Sequence, residues 1–195
     1  MSWGDIQGRR RVLQESAAEE EVVELAESAG FEKVREITAA PSEGVTREVT
    51  WRIAPRLYLH YLEYPPAETA IVQVTGDEFA DVQRFDDLVT RYFEPISYED
   101  VLDQLDREDG VEAKALLLRR LGLAAPNEPD PGFIAKVEEL GRSSDVRLRE
   151  AALWATLFPY WPEFIPFLDG VAESDPDEDL RAQAQFMADQ IRKRQ

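Results

Sequence analysis

Proton transfer at neutral pH draws first on histidine, and this chain of 195 residues has one, His60. It lies in LYLHYLEY (57–64), where strand alternation places Tyr58 and Leu62 on the same face. The chain has no cysteine, so a lone imidazole lacks the companions of a usual zinc site. As a general base His60 would work with one of the 40 acids, and the plainer expectation is a histidine packed on the sheet. With that many carboxylates some pair always lies close, so acid pairs say nothing about acid–base chemistry. DPDED (175–179) opens like a calcium loop, but its sixth and twelfth positions hold Leu180 and Phe186 in place of glycine and glutamate. A capped turn before a helix is expected there instead. Asp86 and Asp87 fall opposite an apolar helix stripe and are expected in solvent. No Gly-rich phosphate loop and no G-x-S-x-G elbow occurs. The expectation is a protein with no catalytic residue, no metal and no cofactor: not an enzyme.

The elements that would position such residues are set by composition and period. Apolar residues make up 44% of the chain and charged residues 32%, enough for a core and a solvated surface. The net charge is −18. Residues 1–96 carry 19 acids and 10 bases, residues 97–195 carry 21 and 12, so each half contributes −9 and no acidic tail accounts for the charge. Such a field repels phosphate backbones and anionic bilayers. Nucleic acid and membrane are therefore not expected partners, and a basic protein is. The opening MSWGDIQGRRR lacks the apolar core of a signal peptide, and no apolar run reaches bilayer length, so a cytoplasmic protein is expected.

Residues 1–96 read as an α+β domain. Ser16 and Glu19 form a capping box before Val22, Leu25, Ala26 and Ala29, and Gly30 supplies the stop. A shorter helix is expected over roughly 5–14. Period-two segments at 31–37, 46–53, 57–64 and 69–74 predict a three- or four-stranded antiparallel sheet. A helix follows, capped by Thr75 with Glu78, its stripe formed by Phe85, Leu88, Val89, Tyr92 and Phe93 and ended by Pro95.

Residues 97–195 carry no strand pattern. Six helical segments pair as 98–108 with 111–122, 132–142 with 145–158, and 162–173 with 178–193. DVRLREAALW (145–154) and DEDLRAQAQF (177–186) superpose: Asp145 on Asp177, Leu148 on Leu180, Arg149 on Arg181, Ala152 on Ala184. In the first pair Val111 takes the leucine position and Glu112 stands where arginine is expected. This pattern resembles HEAT repeats, of the short bacterial kind called phycobilisome-lyase-like. The resemblance covers about half the chain and implies an all-α stack of about three helix pairs. Physically, the early aspartate caps free amides, the arginine four residues on returns to it or reaches a neighbouring repeat, and alanine lets helices approach. Helix pairs that cannot bury their faces alone must stack.

Two surfaces are candidate partner-binding sites. In WATLFPYWPEFIPF (154–167) most rings should fill the space between helix pairs, while Tyr160 or Trp161 at the turn could anchor a partner. On the sheet, Tyr58, His60, Leu62 and Tyr64 line one face, a stripe that would invite a homo-oligomer if left open. The leading functional expectation is a non-enzymatic protein–protein interaction module, an acidic HEAT-like scaffold for a basic partner such as the target of an antitoxin or immunity protein. The alternatives are a lyase-like enzyme accessory that holds a substrate protein, which only the resemblance implies, and a small-ligand sensor in the α+β unit.

Overall fold

Strict alternation in TREVTWRI resolves into one strand of an antiparallel sheet, with Val49 and Trp51 turned to the core. The computed structural model describes residues 4–13, 18–40 and 45–194. The chain divides into two units, Met1–Ser97 and Tyr98–Gln195.

In the first unit the strands are β1 (Ile6–Gln7), β2 (Arg11–Val12), β3 (Glu32–Ala40), β4 (Val45–Ala54), β5 (Leu57–Tyr64) and β6 (Thr69–Gly76). They run in the order β1-β6-β5-β4-β3, with β2 also paired to β6, and every pairing is antiparallel. Among the described residues the sheet has six strands, more than the three or four expected, because residues 5–13 are not helical. β1 and β2 zip onto the outer edge of β6, helped by the Gly8 amide donating to Val74 at 2.8 Å and the Leu13 amide to Ala70 at 2.9 Å. Three successive arginines and a glycine give this segment no apolar helix face, whereas the open edge of β6 offers it a row of partners.

Two helices, α1 (Ala18–Ser28) and α2 (Phe79–Phe93), share one core with the sheet. Val22, Leu25 and Ala26 of α1 and Val82, Val89 and Phe93 of α2 cover Trp51, Leu59, Val72 and Val74. Ser16 of the expected capping box lies outside the described residues, and Glu19 pairs with Arg47 of β4. Gly30, at φ +70°, closes α1 as expected: the Phe31 amide donates to Ala26 at 2.8 Å and the Gly30 amide to Glu27 at 3.1 Å. Glu78 takes the N-cap position of α2 without a side-chain bond, while Thr75 remains in β6. The buried stripe of α2 is also rotated from its expected place. Asp86 is buried with Val82, Val89 and Phe93, while Leu88 and Tyr92 are 43% and 50% exposed. The cause is Arg11 of β2, whose guanidinium grips the Asp86 carboxylate with Nη2 at 2.5 Å from Oδ2. With its charge paired, Asp86 faces inward and the two apolar side chains turn out.

Among the described residues the second unit holds six α-helices: α3 (Tyr98–Arg107), α4 (Val111–Ala124), α5 (Pro131–Gly141), α6 (Val146–Thr156), α7 (Ile165–Ser174) and α8 (Glu178–Arg192). One turn of 3-10 helix, Pro162–Phe164, leads into α7. α3 packs on α4, α5 on α6 and α7 on α8, and the second members α4, α6 and α8 pack in series. At Gly122 a Cβ would stand 2.6 Å from the Ala155 carbonyl oxygen, so this close approach of α4 to α6 requires glycine. Leu148 and Leu180 are buried at 6% and 3% exposure, and Ala152 and Ala184 at 0%. The equivalent positions are thus buried alike.

Candidate functional site

The register of β4, β5 and β6 places His60 opposite Thr50 on one side and Gln73 on the other. Its Nδ1 lies 3.1 Å from Thr50 Oγ1 and its Nε2 2.8 Å from Thr75 Oγ1. Thr50 Oγ1 in turn donates to Glu48 Oε1 across 3.4 Å. Because a carboxylate only accepts, the direction of this chain follows: His60 Nδ1–H donates to Thr50, and the Thr75 hydroxyl donates to Nε2. Burial lowers the His60 pKa to about 4, and the Arg35 charge adds to the effect. The imidazole is therefore neutral at pH 7, with threonine hydroxyls on both ring nitrogens. The aromatic stripe is not left open: His60 is 6% exposed, and Tyr58, Leu62 and Tyr64 are half-buried.

In the helical unit the recurring acids and arginines have distinct tasks. Asp130, Asp145 and Asp177 cap α5, α6 and α8, their carboxylates accepting from Phe133 at 2.7 Å, Arg147 at 3.0 Å and Asp179 at 2.9 Å. Arg149 and Arg181 each donate through Nη1 to the carbonyl six residues back, Ser143 at 3.2 Å and Asp175 at 2.7 Å. Arg149 does more. Its Nε and Nη2 hold both oxygens of Asp175 at 2.8 and 3.2 Å, and Asp175 Oδ1 also accepts the Asp177 amide at 2.9 Å. One guanidinium thereby ties the turn before α6 to the turn before α8, and this ion pair is nearly dry, at 11% and 3% side-chain exposure. The residue that returns to the Asp145 cap is Arg147, not Arg149. Its hydrogen bonds bring the Asp145 carboxyl down to about 2.

The first helix pair departs from the expected register. Gly110 is the N-cap of α4, as Asp145 is of α6, so Ala113 and Lys114 stand at the places of Leu148 and Arg149, rather than Val111 and Glu112. Glu112 pairs with Arg147 across the helix pairs.

Trp161 belongs to the core of the unit. It stacks on Phe164 at 5.6 Å and meets Phe133 edge-on at 5.7 Å, while its indole N–H donates to the Asn127 carbonyl at 3.3 Å. At 3% exposure it presents no anchor to a partner, because three rings meeting in the turn between helix pairs bury one another. Tyr160 is half-buried at φ +54°, with the Arg194 guanidinium carbon 3.5 Å from its ring centre.

The second unit exposes a surplus of negative charge, with Lys193 and Arg194 as exposed bases near its end. Arg107, Lys136, Arg142, Arg147, Arg149 and Arg192 are all held in ion pairs within the unit. Glu99, Glu128, Glu163, Glu173, Glu178 and Asp179 are exposed, and no ion pair among the described residues uses them. Among those residues, no helix is long and apolar enough to cross a membrane, and no cluster of three or more acidic, histidine or cysteine side chains is arranged to hold a metal ion.

No protein-family model, curated protein or solved structure matches the chain.

Proposed function

We propose that the second unit is a short HEAT-like array, and that the protein is a non-enzymatic interaction module that docks a basic protein. The observation that supports this reading is the division of charge: among the described residues many of the arginines and lysines of the unit, though not Lys193 and Arg194, are held in ion pairs while a surplus of carboxylates faces solvent. A stack of helix pairs presents a continuous surface of successive helices, suited to holding a folded partner. A negative field draws in a cationic partner and repels nucleic acid. An inhibitor of a cationic nuclease, which would occupy the nuclease's nucleic-acid groove, is a concrete instance of this class.

The test compares the wild-type chain with a Glu128→Lys, Glu163→Lys, Glu173→Lys variant as immobilised bait, at about 50 mM and about 500 mM salt. Expected is a basic protein retained by the wild type at low salt, released at high salt and lost with the variant. Retention that ignores both salt and charge reversal refutes the proposal.

A further inference from the structure

A groove of about 460 Å³ opens in the helical unit between the α5–α6 turn, one face of α7 and the α7–α8 turn. Its volume falls in the range of small-molecule sites. The face of α7 supplies an apolar wall, with Phe167 and Val171 one turn apart, and Pro166 and Pro176 also line the groove. Gly170 lies between them. A Cβ built there meets nothing within 4 Å, so the groove reaches the helix backbone at this point.

The polar side of the groove is rich in donors. Arg142, Ser143, Ser144 and Arg149 line it, with Asp175 as the acid among them. Both Asp175 oxygens are taken by Arg149, and the carbonyls of Ser143 and Ser144 accept from the same guanidinium. The Gly170 carbonyl accepts the Ser174 hydroxyl at 2.8 Å. The hydroxyl hydrogens of Ser143 and Ser144 have no acceptor among the described residues, and Arg142 commits Nη2 to Glu138 and keeps its other N–H groups. Arg149 is paired with Asp175 and Arg142 with Glu138, so each guanidinium has its counter-ion, and what the groove offers beyond them is N–H and O–H donors. Surplus donors and engaged acceptors call for an acceptor-rich group such as a carboxylate, and the Phe167–Val171 wall calls for an apolar body attached to it.

We propose that this groove binds a small carboxylate with an apolar or aromatic body, the ring lying over Gly170 against Phe167 and the carboxylate meeting Arg142 and the hydroxyls of Ser143 and Ser144. The site is separate from the protein-docking role proposed above and does not depend on it. Its polar wall is built from the same Arg149–Asp175 clamp that joins the last two helix pairs, so an occupant would bear on that junction.

The experiment titrates 3-phenylpropanoate into the full chain and follows backbone amide shifts. 3-Phenylpropanamide and 2-phenylethylamine serve as the neutral and cationic comparators. Expected are saturable shifts at residues 141–144 and 170–176 for the carboxylate, binding about tenfold weaker for the amide, and none for the amine. Gly170→Leu fills the groove from a helical position with open space around it, and it abolishes the shifts. Arg142→Glu, on an exposed side chain, weakens the carboxylate at least about fivefold. If the carboxylate moves none of these amides, if the amine binds as well as the carboxylate, or if Gly170→Leu leaves the affinity unchanged, the assignment is wrong.

Discussion

Lowering the pH should weaken the first unit through His60 before any carboxylate titrates. The folded pKa is about 4, against about 6.5 for an unfolded histidine. Between those values the unfolded chain binds a proton that the folded chain refuses. The His60 contribution to stability therefore falls as pH drops from about 6.5 to about 4, and is flat below, where both states carry the imidazolium. The full span amounts to about 3 kcal/mol, and the part between pH about 7 and about 5.5 to about 1.2 kcal/mol. Physically this is the cost of placing an imidazolium between two threonine hydroxyls, one of which must stop donating to Nε2. The assay is urea denaturation of the untagged chain at half-unit pH steps, beside His60→Gln, which should lose this slope. Because the chain has one histidine, its imidazole signals report the titration directly by NMR. A ring that titrates at pH 6 or above, or a variant with the wild-type slope, would refute the reasoning.

Arg149→Ala should cost about 3–5 kcal/mol in urea denaturation, because Asp175 at 3% side-chain exposure loses both of its guanidinium bonds. Arg149→Lys should recover little of it, since an ammonium does not reproduce the fork; a loss under about 1 kcal/mol for the alanine variant would show that the clamp is not holding the turns together. The two helical glycines should respond with opposite signs. Gly170→Ala, in open space, should stabilise by up to about 1 kcal/mol, while Gly122→Ala, with its Cβ 2.6 Å from the Ala155 oxygen, should destabilise by about 1–3 kcal/mol despite its better helix propensity. Equal effects at the two sites would contradict the α4–α6 approach. Glu94, which follows α2 at φ +44°, should gain about 1 kcal/mol on replacement by glycine, read as a higher midpoint in the same denaturation assay.

β4 was legible in the sequence because one buried face makes its residues alternate, and β5 and β6 because each is a short run of β-branched, aromatic and aliphatic residues bounded by turn residues. β1 and β2 were not. A two-residue strand has no period, and what makes Arg11–Val12 extended is the free edge of β6, 60 residues away. The α2 stripe was misplaced for a related reason: Asp86 is polar by type and buried by virtue of Arg11, a partner 75 positions back that no local pattern announces. The caps at Asp145 and Asp177 were readable because capping is completed within three residues, whereas the reach of Arg149 to Asp175 crosses 26. For His60, residue type and strand position were evident. Its partners Thr50 and Thr75 become evident only with the register that sets three strands side by side, and it is they that turn a candidate base into a packed, neutral ring.

Arg149 at a seam and the acids at the surface make stability separable from the proposed association in the helical unit. Arg149 acts at short range in a nearly dry setting, where added salt screens little, so its loss should appear in unfolding and stay nearly independent of ionic strength. Glu128, Glu163 and Glu173 stand in solvent with no ion pair among the described residues, so their charge extends outward and is screened within about 8 Å at physiological salt. Reversing them should leave the unfolding midpoint within about 0.5 kcal/mol of the wild type while it slows encounter with a cationic partner and flattens the salt dependence of binding. Had the arginines been free at the surface and the acids paired, the same net charge of −18 would carry no such separation. The proposed docking role rests on where each sign of charge is placed more than on its total.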